Sequence, residues 1–209
     1  MRVIAGAAGG LRLDAPKTGV RPTMDRVKAA IFSSLGEEVI GARVLDLFAG
    51  TGALGIEALS RGAASALFVE EDSAAVAAIE QNLARTKLKG HVRRQDVFAF
   101  LRSSQSREPF RIIFADPPYE KTKSGGEFTR LLLEDARLAE MLEPSGTFVL
   151  EKRPTEEMPT TPLWEITRAR KYGATEVLFL QHSVIPSEVE ESRDGTDKPR
   201  HGMSRLRST

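Results

Sequence analysis

The chain has no cysteine among its 209 residues. That absence excludes disulfides, zinc–thiolate centres and cysteine nucleophiles, and it suits a reducing, cytoplasmic setting. Long apolar runs are missing too. No stretch approaches the roughly 20 residues that span a bilayer, so no membrane association is expected. Met1-Arg2-Val3-Ile4-Ala5-Gly6 lacks the apolar core of a signal peptide. Strong net charge is also lacking: the formal charge is +1, and no global basic character advertises nucleic acid. What is present is ordinary for a globular protein, with 41% hydrophobic and 28% charged residues. The length suits one domain with one sizeable core, expected to be monomeric.

Charge is unevenly placed. Residues 1–30 hold six basic side chains (Arg2, Arg12, Lys17, Arg21, Arg26 and Lys28) against two acids, Asp14 and Asp25. A positive end on a near-neutral chain suits contact with phosphates, and Arg2, Arg12, Lys17, Arg21 and Arg26 are the candidate contacts. A solvated end with ordinary basic residues is the plain alternative.

Val3-Ile4-Ala5 and Leu11-Arg12-Leu13, joined across Gly6, Gly9 and Gly10, predict a short hairpin. Met24, Val27, Ala30 and Ile31 recur at helical spacing and predict a helix ending near Gly36. From residue 43 strands and helices alternate. Strands are expected at 43–48, 66–69, 91–94, 110–115 and 146–150. Helices are expected at 53–60, from an Asp72 or Ser73 cap to about Thr86, at 97–101 and over 128–141. The runs 164–168 and 175–180, separated by a turn at Lys171-Tyr172-Gly173, predict an antiparallel pair. Such alternation gives an α/β fold with a mostly parallel sheet covered on both faces. The expected organisation is an N-terminal β-hairpin extension over 1–20, one domain over 21–182 with an antiparallel C-terminal hairpin, and a polar, aperiodic tail over 183–209 expected to be disordered.

In open sheets of this kind ligands bind beyond the carboxyl ends of the strands. The chemically distinctive residues fall there: Asp46 to Gly52, Glu70, Asp96 and Asp116. Glycines after a strand let the backbone approach a ligand closely, and the following helix presents free N–H groups. Gly50-Thr51-Gly52-Ala53-Leu54-Gly55 also satisfies the dinucleotide fingerprint, with Glu70 spaced to bind a ribose. The loop alone therefore leaves a nicotinamide cofactor and S-adenosylmethionine both open. Asp46 tilts the choice, because a carboxylate just before the loop anchors an amino group and repels pyrophosphate. Asp96 follows the third strand, placed either to accept from an adenine amine or to cap a helix.

Asp116-Pro117-Pro118-Tyr119 directly follows an apolar strand. Two prolines end a central ladder, fix the backbone and leave carbonyls without competing neighbouring N–H groups. A planar exocyclic amine needs acceptors for its two hydrogens while its nitrogen attacks a methyl group, and Asp116 and the Pro117 carbonyl supply them. Tyr119 offers a face on which a flipped base stacks, worth roughly 1–3 kcal/mol. A rigid turn with a capping Asp is the plain alternative.

These motifs, with Arg2-Val3-Ile4-Ala5-Gly6, Arg21-Pro22-Thr23-Met24-Asp25-Arg26-Val27, Phe68-Val69-Glu70 and Lys171-Tyr172-Gly173, make the chain resemble the bacterial 16S ribosomal RNA guanine-N2 methyltransferases of the RsmD family. The likeness runs from Met1 to about Gln181. It implies a class I S-adenosylmethionine-dependent methyltransferase (Rossmann-like) fold, an N-terminal hairpin that touches RNA, and action on the small ribosomal subunit or its late assembly intermediate. Where family members carry several basic or aromatic residues after the opening glycine, this chain has Ala7-Ala8-Gly9-Gly10, with Arg12 and Lys17 still present.

The expected mechanism is direct in-line transfer to the N2 amine of a guanine that leaves its stack and enters beside Asp116. Asp46, Phe48, Gly50 and Gly52 are expected to hold the methionine end of the cofactor, Glu70 its ribose and Asp96 its adenine, with Thr23 closing over the methionine side. Asp116, Pro117, Pro118 and Tyr119 form the reaction centre, and no metal is expected. The rivals are a DNA adenine-N6 or protein glutamine methyltransferase, a nicotinamide-dependent oxidoreductase, and a non-catalytic RNA-binding assembly factor.

Overall fold

The computed structural model describes residues 1–15, 25–103, 108–118 and 126–183. After the N-terminal segment come α1 (Asp25–Leu35), a 3-10 turn (Gly36–Val39), β1 (Arg43–Leu47), α2 (Ala53–Ser60), β2 (Ser65–Glu70) and α3 (Ser73–Thr86). They are followed by β3 (His91–Arg94), α4 (Val97–Ser103), β4 (Phe110–Ala115), α5 (Glu127–Glu134), α6 (Ala136–Glu140), β5 (Leu142–Lys152), β6 (Trp164–Tyr172) and β7 (Thr175–His182). The strands form one sheet in the order β3-β2-β1-β4-β5-β7-β6. β1 to β5 are parallel, and β7 runs antiparallel to both of its neighbours, β5 and β6.

Period-two alternation splits the core into two layers. Val44, Phe68, Phe114 and Val149 pack with Ile31 of α1, Ile56 of α2 and Ile79 of α3. Leu45, Leu47, Ile113 and Leu150 pack with Phe100 of α4, Leu132 of α5 and Leu138 of α6. The chain winds from β1 outward to β3, then returns to β4 on the other side of β1. The loops after β1 and β4 therefore flank the topological switch point, where such sheets bind ligands. Among the described residues no helix is long and apolar enough to cross a membrane.

Three expected elements take a different form. The helix expected over 128–141 is two helices, because Asp135 leaves helical geometry (φ −84°, ψ 104°) and caps α6 through the Arg137 N–H. The strand expected at 146–150 begins at Leu142, with a register shift after the Phe110↔Leu142 pair so that Ile112 faces Thr147. Lys171 and Tyr172 belong to β6 rather than to the turn, which falls at Gly173-Ala174 with Gly173 at φ +63°. Of the tail, Ser183 donates to the Leu163 carbonyl at 2.9 Å, and 184–209 lie outside the described residues.

The N-terminal segment pairs antiparallel through one bridge, Arg2↔Arg12, flanked by Val3 N–H to Leu11 O at 2.9 Å and Leu13 N–H to Met1 O at 3.1 Å. The expected strand through Ile4 and Ala5 does not form. Their N–H groups turn instead to the Glu57 carboxylate of α2, at 2.7 and 3.1 Å. Ser60 then clasps the tip: its Oγ donates to Ala5 O at 2.6 Å and accepts from Ala8 N at 3.0 Å, while its carbonyl accepts from Ala7 N at 2.7 Å. A side chain at Gly6 would put Cβ 1.8 Å from the Ser60 oxygen, and Gly6 sits at φ +82°. On the other side of the segment, buried Asn82 of α3 accepts from Asp14 N at 2.8 Å and donates to Asp14 O at 3.0 Å.

Lys28, one of the six basic residues of the N-terminal end, is no surface charge. Its side chain and that of Glu57 are both 0% exposed and 3.3 Å apart. Lys28 also donates to Arg2 O at 2.6 Å, and Arg61 donates to Glu57 at 2.7 Å. Burial holds the Lys28 pKa below its ordinary value against the raising pull of Glu57. Removing one partner of such a pair strands the other charge. Glu57→Ala should therefore lose about 3–5 kcal/mol of stability, read as a lower urea midpoint, and should expose the N-terminal segment to proteolysis.

Candidate active site

β1 ends at Leu47, and Phe48 takes φ +55°, a conformation that side-chain-bearing residues rarely adopt and that clusters at ligand sites. The chain turns through Gly50 (φ +55°) and Gly52 (φ +74°) into α2. Gly55 is required by packing: a Cβ there would lie 2.3 Å from the Phe68 ring and 3.0 Å from Asp46 Oδ2. Asn82 reaches this loop as well, donating to Thr51 O at 3.1 Å.

Asp46 lies within β1 and is 2% exposed. Its Oδ2 accepts from Gly55 N at 2.9 Å. Burial pushes its carboxyl pKa up to about 8; the Gly55 bond opposes the shift, and the charges of Asp116 and Glu70 add to it. Carboxylates from the ends of β1, β2 and β4 thus feel one another across the switch point. Glu70 braces two loops, its Oε2 accepting from Gly50 N at 2.8 Å and its Oε1 from Asp72 N at 2.9 Å. Asp72 caps α3 through Ala75 N at 2.8 Å. Asp96, beyond β3, caps α4 through Ala99 N at 2.7 Å, so the capping geometry is the one observed.

Asp116 follows β4 directly and is half-buried, Pro117 is buried and Pro118 exposed. A shallow open cleft lies against Pro117, Pro118, Phe128, Thr129, Glu151 and Lys152. Phe48 packs edge-on against Phe98 at 6.1 Å and tilted against Phe128 at 5.8 Å, while Phe98 and Phe128 stack at 5.9 Å. This aromatic cluster links the loop after β1 to α4 and α5. Tyr119, Thr23, Lys17 and Arg21 lie outside the described residues. Arg2 and Arg12 are exposed and opposite each other, which puts them on one side of the ribbon. Arg2 pairs with Asp25 at 3.8 Å, and neighbouring Arg26 is exposed on α1.

The structure therefore brings together Asp46, Phe48, Gly50, Gly52, Glu70, Asp116 and Pro117, with Asp96 one strand further out. Sequence reasoning missed Glu57, Asn82, Ser60 and Glu151. Glu57 carried a usable signal, as the one charged residue in the apolar run 53–60; Glu151 carried none.

The Asp46 carboxyl makes a pH test with a definite sign. Its folded pKa, about 8, lies above its ordinary 3.8, so the native state holds a proton that the unfolded chain has released. Its contribution to stability is full below the lower value and is lost as pH rises to the upper one. Asp46→Asn should remove this slope, and urea midpoints between pH 5 and pH 9 should show the variant gaining on the parent as pH rises.

The whole matching region fits one family. The model described as Conserved hypothetical protein 95 matches residues 1–181. The Bacillus subtilis protein named "Putative rRNA methyltransferase YlbH" is 42% identical over 85% of this chain and 96% of its own. Ribosomal RNA small subunit methyltransferase D of Escherichia coli is 36% identical over 83% of this chain and 85% of its own. Among solved structures, the T. thermophilus 16S rRNA N2 methyltransferase RsmC, in complex with AdoMet and guanosine, is similar at a TM-score of 0.63 and 27% identity, over 79% of this chain and 44% of that one. This chain belongs to the Conserved hypothetical protein 95 family, the RsmD family of 16S ribosomal RNA methyltransferases.

Proposed function

We propose that the chain transfers the methyl group of S-adenosylmethionine to the exocyclic N2 amine of a guanine in small-subunit ribosomal RNA. It would act as a monomer, in the cytoplasm, on the small subunit or its late assembly intermediate. The observation that carries this reading is the meeting of two strand ends at the switch point: Asp116-Pro117-Pro118 after β4 beside the Asp46–Gly55 loop after β1, close enough for Asp116 to raise the Asp46 pKa.

The residues fit the cofactor. Asp46 is a buried carboxyl whose ionisation awaits a cation, which the amino group of the methionine moiety supplies. Gly50 and Gly52 hold the backbone at positive φ, where it approaches a ligand without Cβ obstruction. The Glu70 carboxylate is oriented by two backbone N–H groups and faces the ribose. Asp96 and Phe98 border the adenine, and Phe48 and Thr23 border the methionine end. When bound, the sulfonium supplies an activated methyl group.

The chain's own part is acceptance and positioning. The guanine N2 lone pair is delocalised into the ring, so the amine is a weak nucleophile. Asp116 and the Pro117 carbonyl accept hydrogen bonds from its two N–H groups, favour a pyramidal nitrogen and stabilise the developing positive charge, and the methylated amine then releases one proton to water. Tyr119 stacks on the flipped base. Arg2, Arg12, Lys17, Arg21 and Arg26 contact phosphates, with the first two held on one face by the bridge between them. The attachment of the hairpin tip to Ser60 means that the exposed Arg2 and Arg12, rather than the Ala7-Ala8-Gly9-Gly10 turn, supply its charge.

Calorimetric titration should show S-adenosylmethionine binding and no comparable NAD binding; the reverse pattern would reassign the glycine loop to an oxidoreductase. With labelled cofactor and undermethylated small subunits, nucleoside mass spectrometry should detect N2-methylguanosine, whereas N6-methyladenosine alone would reject the substrate. Asp116→Ala should slow transfer by about 100- to 1,000-fold with cofactor affinity within a few-fold of the parent.

A further inference from the structure

The mechanism above leaves one buried carboxylate beside the reaction centre unused. Glu151 is the penultimate residue of β5 and is 4% exposed. β4 and β5 are parallel, with Ala115 opposite Leu150. Asp116 and Glu151 are the residues that directly follow this last pair on the two chains. Side chains alternate along a strand. Phe114 and Val149 pack in one layer of the core and Ala115 and Leu150 in the other, so Asp116 and Glu151 share the first layer's face. Asp46, opposite Phe114 across β1 and β4, belongs to the same face.

Glu151 also lines the open cleft with Pro117, Pro118 and Phe128. Hydrogen bonds and an ion pair hold that wall together. Lys152 Nζ donates to Arg153 O and Glu156 O, each at 2.8 Å, and pairs with Glu176 at 3.1 Å. Thr129 Oγ1 donates to Glu156 Oε2 at 2.8 Å. Those contacts build the wall.

An Asp-Pro-Pro-Tyr centre handles the amine of adenine as readily as that of guanine, so it does not choose the base. The edge of guanine that carries N2 carries N1–H beside it, a second donor. Adenine presents a bare acceptor at N1. We propose that Glu151 accepts the N1–H of the target guanine while Asp116 holds N2, which selects guanine and turns its amine toward the methyl group. Adenine in the same pose would set its N1 lone pair against the carboxylate, a repulsive contact that rejects the wrong base. The inference rests on the guanine-N2 reading and deepens it.

The test uses small subunits reconstituted with 16S rRNA bearing guanine, 2-aminopurine or 6-thioguanine at the methylated position. 2-Aminopurine keeps the 2-amino group but has a bare N1; 6-thioguanine keeps N1–H and alters only position 6. The parent enzyme should methylate guanine about 100-fold faster than 2-aminopurine and should methylate 6-thioguanine within a few-fold of guanine. Glu151→Gln, whose amide can donate to a bare N1, should narrow the guanine to 2-aminopurine ratio by about 10-fold, with unchanged affinity for S-adenosylmethionine. Equal rates on guanine and 2-aminopurine, or equal rejection of 2-aminopurine and 6-thioguanine, would overturn the proposal with the parent enzyme alone. An unchanged ratio in a cofactor-binding Glu151→Gln would do the same. Absence of N2-methylguanosine from the ordinary subunits would instead reject the guanine-N2 reading itself.

Discussion

A carboxylate with no exposed surface is tolerated only when its oxygens are filled with donors, and Glu57 fills them from three directions. Ile4 and Ala5 donate from the N-terminal segment, Lys28 from α1, and Arg61 from the end of its own helix. The same helix begins at the glycine loop of the site. Losing this carboxylate would strand a buried ammonium and two backbone N–H groups together, so the N-terminal segment, α1 and the glycine loop are mechanically one unit. The basic residues proposed to meet RNA are thereby held in fixed relation to the loop proposed to meet the cofactor.

The opposite economy of charge governs the carboxyl edge of the sheet. Asp46, Glu70, Asp116 and Glu151 gather there, while nearby Lys152 is engaged by Glu156 and Glu176. A concentration of negative charge is destabilising in isolation, and the charges of Asp116 and Glu70 add to the rise in the Asp46 pKa that burial mainly causes. Under the proposed function it becomes favourable when the ligands bring an ammonium and sulfonium on one side and a base edge of N–H donors on the other. The carboxylates proposed to meet the cofactor also have structural duties, since Glu70 braces Gly50 and Asp72 and Asp96 caps a helix.

The strand–helix alternation was legible because each apolar run is long enough to show its period and is punctuated by glycine or proline. α2 and β3 fall at their expected bounds, and Asp72 caps α3 as its side chain allows. Misjudged elements share a cause. Ile4 and Ala5 read as strand but their N–H groups found a carboxylate in α2, which removed them from the ladder. Asp135 sat unnoticed within an apolar helical pattern, and its capping bond to Arg137 outweighed continuation of the helix. Lys28 read as surface charge because nothing local announces that Glu57 will be buried opposite it.

By itself the sequence determined the α/β alternation, the positions of the glycine loop and the Asp-Pro-Pro turn at strand ends, and the absence of thiol chemistry. These are properties of short stretches, set by side-chain period, backbone freedom and composition. Only the tertiary structure decided that Asp46, Glu70 and Asp116 share one electrostatic environment, that the hairpin tip is anchored rather than free, and that Glu151 follows the Leu150 paired with Ala115. Those facts depend on strand order and register between segments far apart in the chain, which no local pattern encodes.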